Sequence, residues 1–273
     1  MATDGQQTSP GRVLDMVVKH RAALCYIGEG VHNREKLAKR LGVSEKTVYR
    51  HLQPLRDIGL LKLQSAEYKL TTIGSFFTEF LLDFEATAAQ LWDSRDLLEQ
   101  LVSIHRPPYW LFADAEISHT SVETASAQRE QLRSFISGSS TLVAISPHLF
   151  PEYTVIIECV VSSELNCNIQ LGPEALDCFY SDLCEAVQSE VPSQVQLSSL
   201  SDELSFGILF RKAPDPSVLV LIYGPDKRLY GIAHNTEPVA IDWAREFCNT
   251  LHSNNMISPR STASRFGNES NMD

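Results

Sequence analysis

No apolar run in this chain is long enough to cross a membrane. The longest, around Thr154 to Val161, is broken by Glu158 and falls far short of the roughly 20 residues a spanning helix needs. The opening MATDGQQTSPG is polar and lacks the basic-then-apolar order of a secretory signal, so a cytoplasmic location is expected. Cysteine is sparse and unpatterned. Cys25, Cys159, Cys167, Cys178, Cys184 and Cys248 include no CxxC pair, and in a chain of this length without an export signal they are expected to be free thiols. A redox or metal sensor built on Cys178 and Cys184 is the alternative, but the ligand spacing is missing. Also missing are a Gly-rich phosphate loop, a convincing nucleophile–base pair and a metal-ligand cluster. No catalytic residue, metal or cofactor is therefore nominated, and no enzyme is expected.

A positive net charge is lacking as well. The chain carries 23 Lys+Arg against 34 Asp+Glu, a net −11, which taken alone argues against nucleic acid, because neutralising phosphates needs cations. The average conceals a partition. Arg12 to Ile73 holds 12 Lys+Arg against 6 Asp+Glu, whereas Gly74 to Asp273 holds 11 against 27. A basic head on an acidic body suits a module that meets DNA locally while the remainder repels phosphate. At 273 residues and 43% hydrophobic, the chain has material for two cores.

Within the basic head, REKLAKRLGVSEKTVYRHLQPLRDIGLL from Arg34 to Leu61 is the most informative stretch. Leu37, Ala38 and Leu41 share one side of a short helix, and Gly42 allows a sharp turn. Ser44 is the N-cap of a second helix, whose buried stripe is Val48, Leu52 and Leu55. On the opposite side lie Lys46, Tyr49, Arg50 and Gln53, which are types that contact bases and phosphates; Lys46, Thr47 and Arg50 occupy the first two turns, where a recognition helix enters the major groove. Pro54 lacks an N–H for the carbonyl of Arg50, so a kink or loosened turn is expected there, with Gly59 closing the helix.

Leu60 to Leu63 and Tyr68 to Thr71 alternate around Ser65, Ala66 and Glu67, which predicts a hairpin carrying Lys62 and Lys69. Upstream, Val13, Val17, Leu24 and Ile27 predict one helix from about Arg12 to Ile27. Three helices and a hairpin make a winged helix. The candidate DNA-binding residues are Asn33, Arg34, Ser44, Lys46, Thr47, Tyr49, Arg50, Gln53, Lys62 and Lys69. A solvated helical bundle, with Tyr49 packed on the wing and Arg50 bridged to Glu45 or Asp57, is the bland alternative.

From Phe76 to about Ile104 apolar residues recur at helical spacing, giving one long helix or two with a break near Trp92 to Arg95. Its aromatic stripe needs a cover, either the second domain or the same helix of a partner, and dimerisation is favoured. His105, Arg106, Pro107 and Pro108 end it. Beyond, helices are expected at Val122 to Ser137, Pro151 to Val161, Pro173 to Ser189 and Pro238 to Leu251. Strands are expected at Thr141 to Ile145, Asn168 to Leu171, Phe206 to Phe210, Val218 to Ile222 and Leu229 to Ala233. This alternation ending in a meander indicates a mixed α/β sheet covered by helices, so the whole is α+β and α/β in class. Pro147 and Pro173 mark strand-to-helix junctions, which makes Ser146, His148 and Gly172 candidate effector-binding residues, with ordinary turns and caps as the plain alternative. Trp243 and Phe247 read as core. The domain plan is a disordered 1–10, a winged helix 11–73, a linker or dimerisation helix 74–105, an effector domain 106–253 and a disordered tail 254–273.

The LAKRLGVSEKTVYRHL core with its Gly59-Leu60-Leu61 exit resembles the winged helix-turn-helix transcriptional regulators, archaeal ones in particular. Leu204 to Leu251, with Ala240, Ile241, Asp242 and Trp243 on the closing helix, resembles the regulatory domain of methanogenesis-regulatory-type archaeal regulators. Similar effector domains in sugar-responsive archaeal regulators have a fold like half of a phospholipase D. That likeness implies a binding role here, because the hydrolytic pattern needs Lys two residues after a His. Pro107, Ser121, Phe150 and Thr236 follow His105, His119, His148 and His234 instead. The resemblance implies a sequence-specific regulator of double-stranded DNA, homodimeric, with a C-terminal domain that senses a small molecule or partner. A winged helix used only as a protein-interaction module is the alternative.

Overall fold

The structure is a computed structural model, and it describes residues 9–101, 106–188, 190–201 and 204–254. Of the expected disordered ends, 1–10 and 254–273, residues 1–8 and 255–273 lie outside the described residues, as does His105 of the helix stop, while Asn254 is the last residue of a helix. Ser9 and Pro10 are ordered structure: Ser9 caps the first helix by accepting the N–H of Arg12 at 3.4 Å, with Pro10 in its first turn. The chain divides into two compact units, residues 1–89 and 90–273, and the boundary falls inside a long helix.

The first unit is a winged helix. Its elements are α1 (Pro10–Lys19), α2 (Arg21–Gly28), α3 (Arg34–Leu41), α4 (Glu45–Asp57), β1 (Leu61–Gln64), β2 (Glu67–Leu70) and the start of α5 (Thr72–Asp93). Val17, Leu24, Ile27, Leu37, Val48, Leu52, Leu55, Tyr68 and Leu81 close its core. Gly42 takes a left-handed φ of 68° at the turn between α3 and α4, and Gly59 does so at 80° after α4. Ser65 (φ 51°) and Ala66 (φ 63°) both have positive φ, as the two-residue hairpin turn that matches strand twist requires.

One expectation is corrected here. The predicted single helix over Arg12 to Ile27 is two helices. His20, at φ −111° and ψ 18°, breaks the chain between α1 and α2 and packs its ring against His51, centroids 5.3 Å apart. Pro54 lies inside α4, which runs on to Asp57 before Gly59 closes it. The missing N–H is one bond among a turn whose apolar side, Val48, Leu52 and Leu55, is fully buried.

In the second unit α5 is followed by α6 (Arg95–Leu98), so the helix does break at Ser94. Then come α7 (Trp110–Ala113), β3 (Glu116–His119), α8 (Ala125–Ser137), β4 (Thr141–Ser146), α9 (Thr154–Val161), β5 (Asn166–Leu171), α10 (Pro173–Val187), β6 (Val195–Ser199), β7 (Phe206–Ala213), β8 (Ser217–Tyr223), β9 (Leu229–Asn235) and α11 (Pro238–Asn254). One seven-stranded sheet has the order β3-β9-β8-β7-β4-β5-β6. Strands β4, β5 and β6 are parallel, and β7, β8, β9 and β3 continue antiparallel. One face packs on α8, α9 and α10 through Leu132, Phe135, Ile156, Ile169 and Phe179. The other packs on α7 and α11 through Val143, Ile145, Ile208, Val220, Ala240 and Ala244. Trp243 and Phe247 stack at 5.0 Å on that second face. Strands β3 and β6 are additions to the five expected. Both are edges of the sheet, short and polar on one side, which is how exposed strand edges are kept from pairing with other chains. Helix α9 starts at Thr154 rather than Pro151, after Glu152 with φ 65°. No helix among the described residues is long and apolar enough to cross a membrane.

Candidate nucleic-acid interface

Helix α4 is started by Ser44, whose hydroxyl accepts the N–H of Thr47 at 3.2 Å and lies 3.0 Å from the Thr47 hydroxyl. Burial of Val48, Leu52 and Leu55 fixes its rotation, so Lys46, Tyr49 and Arg50 stand in solvent and Thr47 and Gln53 are half-buried. Lys46, Thr47, Tyr49, Arg50, Gln53 and Pro54 line one open depression of about 620 Å³. Among the described residues neither Lys46 nor Arg50 forms an ion pair, so the bridges from Arg50 to Glu45 or Asp57 are not made. Asp57 instead accepts from the Gln53 amide at 2.7 Å, while Arg56 donates to the Gln53 carbonyl at 3.2 Å. Gln53 is thus tethered along its own helix.

Asn33 is the N-cap of α3, its side-chain oxygen accepting the N–H groups of Glu35 (2.8 Å) and Lys36 (3.3 Å). Arg34 places its guanidinium 5.6 Å from the centroid of the Tyr49 ring, and its buried Nε has no hydrogen-bond partner. Tyr49 thus has an arginine over its ring and remains 46% exposed. A guanidinium within about 6 Å of a tyrosine ring is attracted to its face, which keeps this cation beside the exposed side of α4. On the wing, Lys62 and Lys69 are direct cross-strand partners, and Lys69 has Glu67 at 3.8 Å.

Three further cations of the first unit lie outside the nominated set. Lys36, Lys39 and Arg40 are exposed on α3, the helix before α4, and with Val31 they line a second depression of about 520 Å³. Their spacing of three and four residues puts them on one face, opposite Leu37 and Leu41. Arg40 also lies over the Tyr26 ring at 5.4 Å. The run KLAKRL contains the signal, which periodicity of its apolar residues alone does not disclose.

In the second unit Ser146, His148 and Gly172 do meet at the carboxyl ends of β4 and β5, but closed upon one another. Ser146 is fully buried; its hydroxyl donates to the His148 carbonyl at 2.6 Å and lies 2.7 Å from the Tyr223 hydroxyl. Gly172 N–H donates to the Ser146 carbonyl at 3.0 Å, and a Cβ at Gly172 would stand 2.3 Å from the Pro147 carbonyl oxygen. The glycine is there to let two turns touch. Burial pushes the His148 imidazole below its ordinary 6.5, with Lys227 adding to the effect, and its ring stands edge-on to Tyr223 at 5.3 Å. Pro147 is not at a helix start, because α9 begins at Thr154; Pro173 is, in the first turn of α10.

Residues 12–91 match the family described as the HVO_A0261 N-terminal domain. No curated protein matches the chain. Among solved structures the chain is similar to TrmBL2, described as an archaeal chromatin protein with a novel mode of DNA binding, at 14% identity over 90% of this chain and 98% of that one, with a TM-score of 0.38. It is also similar to the O-methyltransferase NcsB1 of neocarzinostatin biosynthesis, at 11% identity over 73% and 67% of the two chains and a TM-score of 0.24. A dimethyltransferase, RosA from Streptomyces davawensis, shows 12% identity over 69% and 63% at a TM-score of 0.23. Superpositions this loose transfer neither activity nor partner to this chain.

Proposed function

We propose that this chain is a transcription regulator that binds double-stranded DNA as a homodimer, with a second unit that binds a small molecule or partner. The observation that carries the reading is the α4 face, on which Lys46 and Arg50 stand exposed and, among the described residues, without an ion pair, while a closed apolar core holds them in place. Cations aligned on a rigid helix can neutralise phosphate or pair with guanine edges without first breaking an ion pair. Lys36, Lys39 and Arg40 on α3 and Lys62 and Lys69 on the wing extend the cationic surface to either side in sequence, suiting contacts to the backbone that position the reader. Fluorescence anisotropy on mixed-sequence duplexes at rising salt tests it. Retention should fall linearly on a log–log plot with a slope of about −0.9 per phosphate neutralised. Replacing Lys46 and Arg50 together by Glu should remove retention with the fold intact. Salt-independent binding, or none to any duplex, would overturn the reading, and partner capture surviving that double change would favour a protein-interaction module.

Dimerisation is supported by α5. Ile73, Phe76, Phe80 and Phe84, spaced three, four and four residues apart, form a stripe along that helix and all four are exposed. A narrow aromatic seam is costly to leave in water and is self-complementary with its own copy, the commonest arrangement of soluble oligomers. Two winged helices in one dimer would read half-sites one helical turn, or a multiple, apart. A binding rather than catalytic second unit is supported by Ser146, whose hydroxyl donates to the His148 carbonyl and is in contact with the Tyr223 hydroxyl, with no imidazole as its partner.

A further inference from the structure

The α7/α11 face of the sheet changes character between β4 and β5. Across strands β7, β4, β5 and β6 one row of cross-strand partners reads Ile208, Ile145, Gln170, Ser198, and the row two residues away reads Phe210, Val143, Asn168, Gln196. The first two strands give apolar side chains that belong to the core beneath α7 and α11; the next two give amides and a hydroxyl. The opposite face of the same strands stays apolar, with Cys167, Ile169 and Leu171 of β5 and Val195 and Leu197 of β6 packed in the other core. So the polarity belongs to one face and is not a general property of edge strands.

Gln170 makes this block unusual. It is 2% exposed, and among the described residues neither its side-chain oxygen nor its side-chain nitrogen has a hydrogen-bond partner. The hydroxyl of Ser198, its neighbour on β6, is likewise buried and unpartnered. Buried polar groups are nearly always paired, and a leucine at position 170 would simply have continued the apolar row set by Ile208 and Ile145. An amide kept there with both atoms unmet lacks a donor and an acceptor that this face of the sheet does not supply.

We propose that Gln170, with Ser198 beside it and Ile145 as an apolar wall, anchors an uncharged heterocyclic ligand through an amide-like edge. The chemistry follows from the side chain: a primary amide presents one donor and one acceptor side by side in a plane, and a ligand satisfying both offers an acceptor next to a donor, as a lactam, an imide or a nucleobase edge does. No charged residue stands in either row, so the anchored edge is neutral. The site lies wholly in the second unit and does not depend on the DNA-binding reading.

The test is a thermal unfolding series on the full chain. Gln170→Leu should unfold at the same temperature as the native chain or about 2–4 °C higher, because it removes two unmet polar atoms and continues the apolar row. A fall of several degrees would mean that the amide is satisfied inside the protein, and would overturn the proposal. The probes are δ-valerolactam, uracil and adenine, with N-methyl-δ-valerolactam, which lacks the donor, and glucose as contrasts. At saturating concentration at least one of the first three should raise the midpoint of the native chain by several degrees and leave Gln170→Leu unmoved, and the N-methyl compound should give no shift. Equal shifts with Gln170→Leu, a shift with glucose alone, or no shift with any edge-bearing probe each overturn it. None of these measurements involves DNA, so their failure leaves the reading of the first unit standing.

Discussion

Lys62 and Lys69 face each other directly across the two-stranded wing, two ammonium groups on one face of a hairpin only four residues long on each side. Like charges opposite one another destabilise a strand pair by a few tenths of a kcal/mol up to about 1 kcal/mol, and Glu67 at 3.8 Å from Lys69 relieves only part of this on an exposed surface. A polyanion laid against the wing removes the repulsion. Lys62→Thr should therefore leave the free protein as stable as before or slightly more so. It should also weaken binding to all duplexes alike and reduce the magnitude of the salt slope by about 1. Unequal losses between sequences would make Lys62 a base reader and contradict this assignment.

The cap at Ser44 separates folding from contact. Its hydroxyl holds the first turn of α4 through Thr47, so Ser44→Ala should cost about 1 kcal/mol of stability, measured by denaturant unfolding. Ser44→Asp keeps an accepting oxygen and should restore stability while bringing a negative charge toward phosphate. A variant that is stable but binds DNA about tenfold more weakly is the expected outcome; equal losses in both properties would mean that Ser44 acts only through the fold.

His20 and His51 pack ring against ring at 5.3 Å, and burial, then His51, then Lys19 push the His20 imidazole below its ordinary 6.5. The same direction holds for His148 and for His234, which burial and Arg211 depress. A histidine with a lowered folded value takes up its proton first in the unfolded chain. Its contribution to stability is complete above about pH 6.5 and is lost as the pH falls through the depressed value. The unfolding midpoint should drop between pH 7.5 and 5.5, and His20→Gln should flatten part of that slope. A midpoint that is level or rises toward pH 5.5 would reverse the sign argued here.

What could be read in one dimension was the spacing of Val48, Leu52 and Leu55, since a buried stripe of period 3.6 records its own register, and with it came the exposure of Lys46, Tyr49 and Arg50. His20 could not be read. Nothing in its chemistry breaks a helix, and the break accompanies a contact with a ring 31 positions along the chain. Strand β6 was hidden for the opposite reason, as VQLSS at an edge has only two core residues, Val195 and the partly buried Leu197. Ser146, His148 and Gly172 can be placed at strand ends from the sequence, but that they close upon one another depends on Tyr223, contributed by another strand. Gln170 looks ordinary in NCNIQL, and its two unmet atoms become visible only once Ile145 and Ser198 are placed on either side.

The aromatic seam of α5 offers a direct measure of assembly. Phe80 lies in the middle of the exposed stripe, with Phe76 and Phe84 one turn to either side. Phe80→Glu puts a carboxylate into any seam formed with a second copy, where burial without a partner is strongly unfavourable. Sedimentation equilibrium should shift from dimer to monomer by at least tenfold in dissociation constant, with the helical content of the monomer unchanged. A native chain that is monomeric at all concentrations would remove the dimer from the reading.

Gly172 and Gly74 are places where backbone runs against backbone. A Cβ at Gly172 would lie 2.3 Å from the carbonyl oxygen of Pro147, and one at Gly74 would lie 2.0 Å from that of Leu60. Neither neighbour is a side chain able to swing aside, so the added methyl group has to displace main chain. Gly74→Ala should cost about 3 kcal/mol and loosen the turn in which Thr71 donates from its hydroxyl to the Gly59 carbonyl at 2.7 Å, weakening DNA binding with it. Gly172→Ala should cost a similar amount in the second unit and separate the Ser146 carbonyl from its 3.0 Å hydrogen bond with the Gly172 N–H. Hydrogen exchange distinguishes the two. Protection should be lost around residues 59–74 in the first variant and around 146–173 in the second, and uniform loss over the whole chain in either case would contradict the division into two separately cored units.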